Sequence, residues 1–189
     1  MKYFIIFFSI LSGILLTAAS CKKNVTKDPL PAATQTGANT MGFFINGKAW
    51  LPDTRDNGSI PRLKAVNAKF WNITDLFLTF YRDKNPDNQD LAIYVKDFSG
   101  IGTYNMNKTS RIIGLPGSYG TLNSYLYFSD YNTKQEYITN ENYVGIVDIT
   151  YYNATNKIVS GTFQFKGQNY NSSSDSVIVS EGRFDCTLY

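Results

Sequence analysis

Residues 143–189 read YVGIVDITYYNATNKIVSGTFQFKGQNYNSSSDSVIVSEGRFDCTLY, and their alternation decides the fold class. In the first run Val147, Ile149 and Tyr151 share one parity, with Ile146, Asp148 and Thr150 on the other. The polar stretch NATN turns the chain. In the second run Val159, Phe163 and Phe165 share a side, opposite Thr162 and Gln164. In the third, Ile178, Phe184, Cys186 and Leu188 share a parity, opposite Glu181, Arg183 and Asp185. Side chains on a strand point alternately to its two faces, so this period of two predicts strands with one buried and one wet face. Gly182 is expected to allow a bulge or a close backbone approach. Three such runs joined by short polar turns predict a three-stranded antiparallel meander.

The same signals extend toward the N-terminus. MGFFINGKAWLP places two short runs around Asn46-Gly47, a two-residue hairpin turn in which both residues tolerate positive φ. TDLFLTFYRDKNPDNQDLAIYVKDF predicts two strands around a polar turn, and YNMN and SYLYFSDY predict two shorter strands separated by the loop GLPGSYG. IPRLKAVNAKFW is the one candidate helix and fits a strand equally well. About ten short strands in one domain, residues 41–189, imply an all-β antiparallel β-sandwich, with a closed, lipocalin-like barrel as the alternative. No fixed-period repeat supports a propeller or a β-helix.

Residues 1–20 have a different chemistry. Lys2 precedes a nearly unbroken apolar run, Phe4 to Leu16, and Thr17 to Ser20 are small. That is the layout of a secretory signal peptide. The run is about a dozen residues, short of the roughly 20 that a spanning helix needs. Leu16-Thr17-Ala18-Ala19-Ser20 followed by Cys21 resembles a bacterial lipobox. The resemblance implies acylation of Cys21, cleavage before it, and attachment to a membrane through the acyl chains. Each buried CH₂ contributes about 0.8 kcal/mol, so two or three chains make a stable anchor. Lys22 stands where inner-membrane lipoproteins often carry Asp, so the implied destination is the outer membrane, on its periplasmic face or at the cell surface, with the periplasmic leaflet favoured. Residues 21–40 are polar and rich in Thr, Ala and Pro, and are expected to form a flexible tether. About 20 flexible residues reach on the order of 25 Å.

A lipobox, a polar tether, FFINGKAWLP near the start and SGTFQF with VIVSEGRFD at the end resemble small Bacteroidota outer-membrane lipoproteins of domain-of-unknown-function families. The resemblance implies an all-β envelope lipoprotein and carries over no catalytic residue. A non-enzymatic protein that binds a glycan or another envelope protein is the expected function. The alternatives are a structural or assembly accessory and a carboxylate-dependent glycoside hydrolase.

Composition narrows the chemistry further. The chain has no histidine, which removes Ser-His-Asp and Cys-His catalysis and His-ligated zinc. Its formal net charge is +3 and no long run of one sign occurs, so a nucleic-acid partner is not expected. With Cys21 lipidated, Cys186 is the remaining thiol, has core parity, and cannot form an intramolecular disulfide. No cofactor is expected. Asp148, Glu181 and Asp185 are the candidate carboxylates for a hydrolase. Asp83, Asn85, Asp87 and Asp90 form a weak candidate calcium loop, with Pro86 in its middle and no closing glutamate. Tyr119, Tyr125, Tyr127 and Tyr131, in a stretch that continues to Tyr137 and Tyr143, form a candidate ligand surface, because tyrosine combines an apolar ring with a polar tip. Asp175-Ser176-Val177 resembles a short O-glycosylation acceptor.

Overall fold

The alternation in 143–189 becomes three long strands, β10 (Gly145–Asn153), β11 (Ile158–Asn169) and β12 (Ser172–Thr187), paired antiparallel in sequence order. The structure is a computed structural model, and it describes residues 29–54, 64–84, 86–115, 117 and 119–189. Ahead of the meander lie β1 (Thr40–Ile45), β2 (Lys48–Trp50), β3 (Asp53–Thr54), β4 (Val66–Phe70), β5 (Leu76–Lys84), β6 (Asp87–Val95), β7 (Gly102–Met106), β8 (Tyr125–Asp130) and β9 (Gln135–Ile138). The Asn46-Gly47 hairpin forms as expected, with φ of 47° and 78° at its two central residues. β4 occupies the segment that was ambiguous between helix and strand. Among the described residues no helix is long and apolar enough to cross a membrane.

All strands belong to one open sheet, antiparallel except where the two residues of β3 run parallel to β5. It folds over on itself as a sandwich. One layer is β7-β10-β11-β12-β1-β2, and the other is β4-β5-β6-β8-β9. The layers join where Gln168 and Asn169, at the far end of β11, pair with Ile138 and Tyr137 of β9. The described edge strands do not pair with each other, so the barrel alternative is set aside.

Between the layers Phe43 meets Phe128 edge-on, and Phe80 meets Phe184. The two meander parities that differ from expectation have one cause each, a bulge. A register shift between Ile149 and Tyr151 inserts one residue in β10, so Tyr152 rather than Tyr151 packs on the core. In β12 Phe163 faces Gly182 while Phe165 faces Val179, and Glu181 has φ of 53°. The extra residue turns Val177 and Val179 inward and leaves Ile178 outside, 57% exposed, while Phe184, Cys186 and Leu188 face the core as predicted. A classification by parity fails across a bulge because the count of residues, not their order, changes. Gly182 does carry the close approach: a Cβ there would lie 2.6 Å from the Phe163 ring and carbonyl oxygen.

Two features thicken the sandwich. Residues 108–115 and 119–122 cross the outer face of the second layer, where Ile112, Ile113, Leu115 and Leu122 cover Ala92, Tyr94, Tyr125 and Tyr127. Leu91 to Val95 of β6 is therefore buried on both faces, in keeping with its unbroken apolar sequence. On the first layer, the segment expected as a tether packs against the sheet from Pro29 onward. Leu30 is 5% exposed, and residues 34–38 close over Asp185. Asp185 itself was expected on a wet face and is 1% exposed. A carboxylate buried on a sheet needs donors, and this polar segment supplies them.

Candidate functional site

The outer face of the second layer carries a row of polar side chains that only pairing brings together. Tyr81 of β5 lies opposite Asp90 of β6, Asp90 opposite Ser129 of β8, and Ser129 opposite Glu136 of β9. Beside that row runs a flatter one, Thr79, Ala92 and Tyr127. All of these residues except the buried Ser129 floor a groove of about 400 Å³. Trp71 and Phe77, packed edge to face at 5.7 Å, form one side, and Ile112 to Leu115 and Tyr131 contribute the rest of the lining. Trp71 is 45% exposed and Tyr131 52%, so both rings are available to a ligand.

Asp90 is the unusual group. It is 9% exposed, its Oδ2 accepts a long hydrogen bond from the Tyr131 hydroxyl at 3.4 Å, and its Oδ1 has no partner. Burial pushes its carboxyl up to about 7, against the Tyr131 hydrogen bond and with help from the charge on Glu136. Burial also pushes the Tyr131 hydroxyl up to about 12, aided by the charge of Asp90. The neighbouring phenols therefore stay protonated as donors. Glu136 stands two strands away from Asp90, about 10 Å between backbones at ordinary strand spacing.

This makes a stability prediction with a definite sign. Between the unfolded carboxyl value of about 4 and the folded value of about 7, the folded chain holds the Asp90 proton and the unfolded chain does not. Stability from this group is therefore full below about pH 4 and falls as pH rises to about 7. Asp90→Asn removes that fall. Urea melts of the two proteins are expected to show the variant gaining on the order of 3 kcal/mol relative to wild type between pH 4 and pH 8. A constant difference across that range would refute it.

Of the four tyrosines read as a ligand surface, Tyr127 and Tyr131 line this groove. Tyr125 does not. It is fully buried, stacked on Tyr94 at 5.4 Å, with its hydroxyl accepting the Ile113 N–H at 3.1 Å. Tyr119 is 89% exposed and stands outside the groove lining. The candidate calcium loop is also taken apart by the hairpin. Arg82 pairs with Asp87 at 2.8 Å, Asp83 faces Asn88 across the strands, and Asp90 floors the groove instead. Asn85 lies outside the described residues, among which no group of three or more His, Cys, Asp or Glu could hold a metal ion. Cys21 also lies outside them.

Of the three hydrolase candidates, two share one hollow and the third does not. Asp148 and Glu181 line an open hollow of about 570 Å³ on the first layer, where the Thr103 hydroxyl donates to Asp148 at 2.6 Å. Asp185 is held under residues 34–38. Asp175, beside Ser176, accepts from the Tyr137 hydroxyl at 3.0 Å and the Asn169 amide at 2.8 Å, and Ser176 is half-buried in β12. Cys186 is a core side chain as expected, and burial pushes its thiol up. Trp71, Tyr81 and Glu136 went unread in the sequence because their partners are distant along the chain. The one local hint was a tryptophan in the polar stretch WNITD. Neither a family model, a curated protein nor a solved structure matches the chain.

Proposed function

We propose that the chain is a lipid-anchored, non-catalytic protein of the bacterial outer membrane whose β-sandwich binds a glycan in the groove of the second layer. One observation carries the binding site: exposed aromatic rings of Trp71 and Tyr131 flank a buried carboxyl with an unpartnered oxygen. Sugar rings stack their apolar faces on such rings and present hydroxyls to carboxyls and phenols. The anchor rests on the lipobox resemblance at Cys21 and on the resemblance to small Bacteroidota lipoproteins. Seven residues lie between Cys21 and Pro29, which makes eight peptide steps. At roughly 3.5 Å per step they hold the domain within about 28 Å of the acylated cysteine; Lys22 supports the outer membrane as the destination, and CKKNVTKDP, which does not resemble a Lys- and Asp/Glu-rich surface-export tag, favours its periplasmic face.

A glycan array probed with wild type and Trp71→Ala tests the site. Binding by wild type is expected, with loss of at least about tenfold in the variant, the usual scale for one truncated aromatic anchor. Labelled fatty acid is expected in wild type and absent in Cys21→Ser; equal labelling removes the anchor. A protein partner is the second reading. Ile73 and Ile101 are 96% and 66% exposed on two loops tied together by a bond from the Phe98 N–H to the Thr74 carbonyl. An array without hits, with wild type capturing an envelope protein that an Ile73→Asp, Ile101→Asp variant does not, would favour it.

A further inference from the structure

The groove's carboxyl groups have no basic counterpart in its lining. Asp90 and Glu136 line it, and no Lys or Arg does among the described residues. Asp90 lies nine-tenths buried with an oxygen that no donor in the protein satisfies. An unsatisfied buried acceptor is costly, and an ammonium group compensates it better than a neutral hydroxyl, because the hydrogen bond is charge-assisted. The rings of Trp71, Tyr81 and Tyr131 present negative faces that attract a cation as well as a sugar ring. Trp71 already engages one: the Lys69 ammonium lies 5.3 Å from its ring centroid, outside the groove lining.

We infer that the groove selects a sugar bearing a free, protonated amino group, with the ammonium seated against Asp90 and the ring against Trp71 and Tyr131. The inference rests on the reading of this groove as the glycan site. Asp90 is faced by Tyr81 from β5, Ser129 and Tyr127 from β8, Tyr131 from the following turn and Glu136 from β9, while the Lys69 ammonium sits on Trp71 outside the groove lining. Of these only Glu136 adds a second negative charge near it. In the empty groove the carboxyl holds its proton up to about pH 7. At pH 6 an arriving ammonium therefore expels that proton, and about one proton per ligand goes to the buffer.

Calorimetry with a glucosamine tetramer and its fully N-acetylated counterpart tests this, since acetylation keeps the ring and removes the charge. The amino form is expected to bind at least about tenfold more tightly at pH 7, with an enthalpy at pH 6 that varies with the buffer as release of one proton requires. Asp90→Asn is expected to abolish the preference, and Glu136→Gln to reduce it severalfold while leaving Asp90 in place should the first variant fold poorly. Equal or tighter binding of the acetylated form overturns the inference and leaves the glycan reading standing. No binding of either form, or of any arrayed glycan, overturns both.

Discussion

Asp185→Asn is expected to lose about 3 kcal/mol of stability and to melt about 10 °C below wild type, a shift of roughly 2–4 °C per kcal/mol for a chain of this size. The side chain differs by one atom, and the damage lies in which donors face it. Oδ2 accepts the N–H groups of Thr36 and Ala38 at 3.0 and 3.2 Å and the hydroxyls of Thr34 and Thr36. Oδ1 accepts the Gly37 N–H at 2.8 Å and the Ser160 hydroxyl. A hydroxyl can reverse and accept from an amide; a backbone N–H cannot. In either orientation the amide nitrogen of Asn points at one or more backbone donors, which lose their partner in a buried site. Burial by itself would raise the Asp185 carboxyl, and the hydrogen bonds from Thr34, Ser160, Thr36 and Ala38 outweigh it and hold the group far below the usual carboxylate range. A lowered folded value means that the contribution is complete above the unfolded value of about 4 and is lost as pH falls below it. Acid unfolding should therefore separate the two proteins: the gap between their denaturation midpoints narrows below about pH 4. A gap unchanged down to pH 2, or a variant as stable as wild type at pH 7, would mean that residues 34–38 do not depend on this carboxylate.

Phe43→Ala should cost still more, about 4 kcal/mol, the middle of the range for deleting a buried phenylalanine. Phe43 is fully buried in β1 and stacks on Trp50 at 4.8 Å. It also meets Phe163 of the first layer at 5.8 Å and Phe128 of the second at 6.4 Å. The ring is thus in contact with both layers, and its loss opens a cavity that neither can fill by shifting alone. Against a typical total of about 5–15 kcal/mol, that is a large fraction of the stability. Phe43→Leu should retain most of it, with a loss near 1 kcal/mol. Denaturant titration decides between these figures. A cost below about 1 kcal/mol for the alanine variant would be incompatible with a ring bridging two layers.

How far the sequence could be read depended on the range of the interactions. The Asn46-Gly47 turn, the β5–β6 hairpin and the three strands of the meander rest on neighbours a few residues apart, and all were legible. The parities failed at Tyr151 and Ile178, because a bulge is set by the partner strand's register and leaves no mark in the alternation. β9, only four residues long in QEYI, went unread for want of length. The candidate site was half legible. Tyr127 and Tyr131 came from a local crowding of tyrosines, but Tyr125 in the same crowd is covered by Ile112 and Ile113, a contact with no local signature.

By itself the sequence determined an all-β, turn-rich chain, the absence of any histidine, and a core position for Cys186. Those properties follow from composition and from the two-residue period of strands, which act locally. The tertiary structure alone decided that Asp185 is a buried anchor for residues 34–38 and not a wet-face charge. It also decided that Asp90 floors an aromatic groove, which Glu136 lines as well. A carboxylate's role depends on which donors and rings are brought to it, and here strand pairing and the packing of loops over the sheet bring them from distant parts of the chain.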